Sequence, residues 1–131
     1  MKFLKRILGI CDTRAPACAD AWSLAGRTVT LDLARLPELA PAGGAIRLEG
    51  RGLPHRLLVV HGSDGHFYAL ANRCSHMGRR LDPLAGQARL ECCSVSKSTF
   101  SYAGNPLGGA ARAALKTFAV TGTENQLTIA L

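Results

Sequence analysis

Aromatic side chains are scarce in this 131-residue chain: one tryptophan, two tyrosines and four phenylalanines amount to 5% of it. Sequence-tolerant nucleic-acid binding relies on stacking bases on such rings, so a net charge of +7 does not by itself point to nucleic acid as a partner. Acidic residues are also few, nine against sixteen lysines and arginines, which implies a positive field and acidic partners. No long apolar run is present. The segment 1–10 opens with the positive charge of an export signal, but Lys5 and Arg6 interrupt its apolar residues and Cys11-Asp12 ends it. It is too short and too broken for export or for spanning a bilayer. A cytoplasmic location is therefore expected, with membrane contact only through residues 1–10 as a short basic amphipathic helix. The chain also has no glycine-rich phosphate loop, no serine, histidine and acid at a recognisable spacing, and no internal repeat. Five cysteines, an odd number, argue against a simple disulfide framework.

What remains describes one β domain. A hydrophobic content of 47% supports a packed core, and the length suits one domain that needs no disulfide staples. Residues 1–27 read as an N-terminal extension, with a short helix over 2–10 and then a linker containing alanine, proline and glycine. From position 28 onward the pattern is one of short strands: 28–33, 45–49, 56–61, 66–72, 87–92, 115–120 and 126–131. Gly62-Ser63-Asp64-Gly65 is a hairpin signal. No helix of ten residues is compelling there, although 109–117 holds an alanine-rich patch. Closely spaced strands with glycine and asparagine turns predict an all-β fold, a small antiparallel barrel or sandwich.

Two stretches carry the chemistry. Asn72-Arg73-Cys74-Ser75-His76-Met77-Gly78 sets a cysteine and a histidine one residue apart, with a glycine to close a tight loop. Soft sulfur beside borderline nitrogen suits iron or zinc. The sixteen residues 77–92 provide a strand, a turn and a second strand, which return the chain to a second loop at Glu91-Cys92-Cys93-Ser94-Val95-Ser96-Lys97-Ser98-Thr99-Phe100. Adjacent residues of an extended strand point to opposite faces, so Cys92 and Cys93 serve one site together only across a bulge or turn.

These boxes make the sequence resemble the Rieske-type 2Fe-2S proteins, whose signature is Cys-x-His-x-Gly followed by Cys-x-x-His-Gly-x-x-Phe. Cys74, His76 and Gly78 match the first box, and Asp64-Gly65-His66-Phe67-Tyr68-Ala69-Leu70 looks like the strand that leads into it. Leu81 also sits where the family usually has leucine. Cys93 to Phe100 has the length of the second box, but Ser96 stands at its histidine and Lys97 at its glycine. The likeness resumes at Gly104 and Pro106-Leu107-Gly108-Gly109, with Ala110 where the family commonly has proline. It spans roughly residues 28–131.

The resemblance implies a Rieske-like fold over 28–131, with an inserted two-loop cluster-binding subdomain at about 73–107. It implies outer-sphere electron transfer as a ferredoxin or small redox subunit, and a redox partner protein with an acidic docking surface facing Arg73, Arg79, Arg80, Arg89 and Lys97. Carried over residue by residue, Cys74 and Cys93 would hold one iron of a 2Fe-2S cluster and His76 would take half of the other. The fourth ligand is open among Ser96, Cys92, Cys11 and Cys18. His55, His61 and His66 match no ligand position. Two other readings of the same residues are a scaffold without a cluster, kept as a non-redox interaction or accessory subunit, and a thiol sensor. The sensor would use Cys74, Cys92 and Cys93, with Arg73 and Lys97 lowering a thiol pKa.

Overall fold

The computed structural model describes residues 4, 7–76, 78–84, 86–94 and 97–131. Its strands in chain order are β1 (Trp22–Ala25), β2 (Thr28–Asp32), β3 (Ala45–Leu48), β4 (Leu57–His61), β5 (Phe67–Ala71) and β6 (Leu81–Pro83). They continue as β7 (Arg89–Cys92), β8 (Thr99–Ser101), β9 (Pro106–Gly108), β10 (Thr117–Gly122) and β11 (Gln126–Ala130). Seven form one antiparallel sheet in the order β1-β2-β11-β10-β5-β4-β3, and the other four form a smaller sheet, β6-β7-β8-β9. The small sheet is inserted between β5 and β10, two neighbours in the large one. This is the all-β, inserted-subdomain architecture that the boxes imply. Of the helix expected over 2–10, Leu4, Ile7 and Leu8 are helical and Gly9 turns the chain, while 2, 3, 5 and 6 lie outside the described residues; the alanine-rich patch at 109–117 leads into β10 without forming a helix.

Strand β4 explains how the two sheets are joined. Leu57, Leu58, Val59 and Val60 are all fully buried, a run with no polar alternation. Such a run marks a strand covered on both faces. Leu57 and Val59 pack with Val29, Leu31, Ile46, Leu48 and Ile129 inside the large sheet. Leu58 and Val60 face the other way, against Leu70, Leu81, Leu90, Cys92 and Phe100. The small sheet thus sits as a cap on the outer face of β4 and β5.

The large sheet includes β1, which lies inside the segment read from the sequence as an extension. Trp22 is buried in the first core, and the Arg51 guanidinium lies 4.3 Å above its ring while donating to its carbonyl oxygen at 2.9 Å. Residues ahead of β1 run along the molecule as a strap. The Arg47 N–H donates to the Arg14 carbonyl oxygen at 3.0 Å, and the Ala17 N–H to a Glu38 carboxylate oxygen at 2.8 Å. The Asp12 and Thr13 N–H groups both donate to the Asp82 carboxylate, at 2.7 and 2.9 Å.

Cap and barrel are also bound by charge. Arg80 grips Glu49 with two donors, Nε to Oε2 at 2.6 Å and Nη2 to Oε1 at 2.8 Å, and Arg47 stands 3.6 Å away. The Arg80 hydrogen bonds hold the Glu49 carboxyl below its ordinary value of 4.5, against partial burial that pushes it up. A carboxyl depressed on folding contributes stability above its unfolded value and loses it as pH falls through the folded one. Glu49→Gln is therefore expected to cost about 1 kcal/mol at pH 7 and almost nothing at pH 3, read from urea unfolding at both pH values. An equal loss at the two would assign Glu49 a packing role.

Candidate metal centre

The first loop is built by short-range hydrogen bonds. The Cys74 N–H donates to the Arg79 carbonyl oxygen at 2.7 Å, and the Gly78 N–H returns to the Cys74 carbonyl oxygen at 2.8 Å. Gly78 has a φ of +70°, a conformation costly for any residue with a Cβ, which explains the glycine of this box. Asn72 anchors the loop from below: it is buried, its Oδ1 accepts the Leu81 N–H at 2.8 Å, and its carbonyl oxygen accepts from Arg56 Nη2 at 2.9 Å. The Arg56 guanidinium reaches on to the Gly78 carbonyl oxygen at 2.8 Å. His76 is exposed at the tip of this loop, and Met77 lies outside the described residues.

The second loop leaves β7. The Cys93 N–H donates to the Arg80 carbonyl oxygen at 2.9 Å, so the two box cysteines hang from the consecutive carbonyls of Arg79 and Arg80. Lys97 has a φ of +53° at the place where the Rieske signature has glycine. The left-handed turn therefore persists although a side chain now bears its strain, of order 1–2 kcal/mol. Ser98, fully buried, accepts the Ala111 N–H on its Oγ at 3.1 Å. Ser75 Oγ donates to the Ala113 carbonyl oxygen at 2.7 Å, so a third loop, 109–116, closes over both boxes. Ser96 lies outside the described residues.

The sulfurs fall into two pairs. Cys74 and Cys92 are both buried in the second core, and their thiols are hydrogen-bonded to each other. Burial pushes the Cys92 thiol up to about 11; Ser94 Oγ, donating to it at 3.3 Å, pulls the other way. Cys92 is thus a neutral thiol at neutral pH. Cys93, on the opposite side of the strand end, is joined to Cys11 of the strap by a disulfide that spans 82 residues of sequence. The Asp82 carboxylate lies within 4.8 Å of both of those sulfurs. Nothing in the sequence singles out Asp82; only the register Asp82↔Glu91 of β6 on β7, together with the course of the strap, brings it there.

The remaining candidates are occupied elsewhere. Cys18 Sγ donates to Asp20 at 3.4 Å and accepts from Arg35 at 3.2 Å. His61 Nδ1 is 2.8 Å from the Leu39 carbonyl oxygen, its ring stacked on Phe67, while His55 tilts against Phe118 and His66 lies exposed on the β4–β5 hairpin. The chain has four histidines, and three are committed to the large sheet. A site with two thiolates and two imidazoles therefore does not fit these residues. The donors that the described residues bring together are Cys11, Cys93 and the Asp82 carboxylate, while Cys74 is paired with Cys92 in the second core and His76 stands exposed at its loop tip. Among the described residues no helix is long and apolar enough to cross a membrane.

Residues 35–119 match the family model described as the Rieske [2Fe-2S] domain. No curated protein sequence matches the chain. Among solved structures, the ferredoxin of carbazole 1,9a-dioxygenase from Nocardioides aromaticivorans IC177 is similar at a TM-score of 0.58 and 20% identity, covering 69% of this chain and 86% of that one. A chain of the complex of reduced oxygenase and oxidised ferredoxin in carbazole 1,9a-dioxygenase gives 0.57 and 24%, covering 70% and 83%. The cyanobacterial plasma membrane Rieske protein PetC3 from Synechocystis PCC 6803 gives 0.54 and 23%, covering 65% and 86%.

Proposed function

The chain belongs to the Rieske [2Fe-2S] domain family, and we propose that it is an electron-transfer protein whose iron-sulfur centre is held by Cys74, Cys93, Cys11 and His76. The observation that carries this reading is the anchoring of Cys74 and Cys93 on the adjacent carbonyls of Arg79 and Arg80, which fixes both boxes to one two-residue support. When bound, the cluster supplies a one-electron couple, and a thiolate in place of the second imidazole sets its potential between the two-histidine range of about −150 to +300 mV and the all-cysteine value of about −400 mV.

The chain's own residues do the rest. Asn72 and Arg56 hold the first loop in place, Ser75 and Ser98 tie the third loop over the boxes, and the exposed His76 marks the edge nearest solvent. The positive charge that Arg73, Arg79, Arg89 and Lys97 add near the two boxes, Arg80 being paired with Glu49, suits an acidic redox partner, by analogy with the ferredoxin that meets an oxygenase in the similar complex. A cytoplasmic setting belongs to the same proposal.

The disulfide favours a second reading, a cluster-free scaffold that works through its thiols. Anaerobic purification without a metal-binding tag, with iron, sulfide and zinc measured per chain beside the visible spectrum, separates the two. About two irons and two sulfides per chain are expected; their absence after reconstitution of the reduced protein would leave the thiol scaffold.

A further inference from the structure

We propose that Cys11–Cys93 is a thiol–disulfide exchange site for a dithiol protein, in which Cys11 is the sulfur attacked and Cys93 the thiolate released. Three observations carry it. The two sulfurs are unequal: Cys93 is 4% exposed, whereas Cys11 is only partly covered and borders an open cleft of about 790 Å³. Exchange rates depend on which sulfur can be reached, so an incoming thiolate meets Cys11. That cleft is lined by Arg14, Arg47 and Arg80 as well as Asp12; with Glu49 shared between Arg47 and Arg80, the three arginines still outnumber the two carboxylates and favour the approach of an anionic nucleophile. Finally, the strap does not depend on the disulfide for its position. Asp82 receives the N–H groups of Asp12 and Thr13, and Arg79 Nη1 donates to the Ile7 carbonyl oxygen at 3.2 Å, so contacts on both sides keep Cys11 near Cys93 once the bond has opened.

The step balances with a dithiol as reductant. One of its thiolates attacks Cys11 Sγ, the Cys11–Cys93 bond breaks, and Cys93 leaves as a thiolate. The second thiol of the reductant then displaces Cys11 and takes its own two sulfurs into a disulfide. Two electrons have passed to this chain, and the two cysteines end as thiols. Oxidised glutathione reverses the reaction. In a reducing compartment a disulfide is usually transient and redox-active, which fits a bond made to open. Where the proposed iron-sulfur function holds, the exchange also gates it, because Cys11 and Cys93 are two of its four ligands and the disulfide withdraws both.

The test uses the full chain, equilibrated in graded mixtures of reduced and oxidised glutathione, quenched, alkylated and digested for mass spectrometry. The expected result is a Cys11–Cys93 cross-link that opens and closes reversibly while the β-sheet circular dichroism stays unchanged. In Asp82→Ala the effective concentration of the two thiols should fall at least about tenfold, the size expected from losing even one of the two charge-assisted hydrogen bonds. A dithiol protein reduced to its single attacking cysteine should become trapped on Cys11. Trapping on Cys93, a cross-link absent at every ratio, or one that opens only as the fold melts would overturn the proposal. Reconstitution with ferrous iron and sulfide keeps the two readings apart. Equal uptake by oxidised and reduced protein removes the gate and leaves the function, whereas reversible exchange with no uptake in either form removes the function and leaves the exchange site.

Discussion

Phe100→Ala is expected to lower the unfolding free energy by about 3–5 kcal/mol, the usual cost of emptying a phenylalanine site in a packed core. Phe100 is fully buried in β8, an inner strand of the cap, and it stands opposite Leu90 of β7. Its neighbours in the second core include Leu58, Val60 and Leu70, so it is part of the layer that seats the cap on β4 and β5. Because β8 follows the second box directly, the cavity would also loosen the bond from the Cys92 N–H to the Ser98 carbonyl oxygen, 2.8 Å long here. Urea unfolding measures the loss. A change below about 1 kcal/mol would mean that the cap is not packed on β4 as described, since a core phenylalanine cannot be emptied so cheaply.

Substitution at the boxes is expected to be all-or-none for metal and mild for the fold. Cys74→Ser, Cys93→Ser and His76→Ala should each reduce the iron content from about two per chain to near zero, since each removes one of four donors. The circular dichroism should persist, because both cores are built mainly from strand residues; Cys74 itself belongs to the second core, so its exchange costs some stability without removing the sheets. Cys11→Ser and Ser96→Ala then decide the fourth ligand. Loss of iron in the first with no change in the second supports the strap thiolate. The reverse pattern would give the position to Ser96 and reduce Cys11 to a redox partner of Cys93. His76→Ala carries the least structural cost of the set, because the side chain is exposed.

The fold was legible because its signals are local. The alternation at Thr28-Val29-Thr30-Leu31, the unbroken Leu57-Leu58-Val59-Val60 run and the Gly62-Ser63-Asp64-Gly65 hairpin each specify a strand or a turn from neighbouring residues alone. The short strands β1, β8 and β9 escaped that reading, and β6 figured in it only as an unplaced strand within 77–92. With three or four residues each, they carry no period to detect, and pairing partners hold them in the extended form.

By itself the sequence determined the family, the two boxes, the Cys74-x-His76 pairing and the loss of the second-box histidine and glycine at Ser96 and Lys97. It also required that Cys92 and Cys93 part company, since neighbours on an extended chain point apart. Only the tertiary structure decided where each sulfur goes. Cys92 is drawn into the core beside Cys74, where burial keeps its thiol neutral. Cys93 meets Cys11 because hydrogen bonds to Asp82 carry the strap across the cap. A contact between residues 82 apart has no local signature: it depends on the docking of two sheets and the course of a strap, and those are settled only when the whole chain packs.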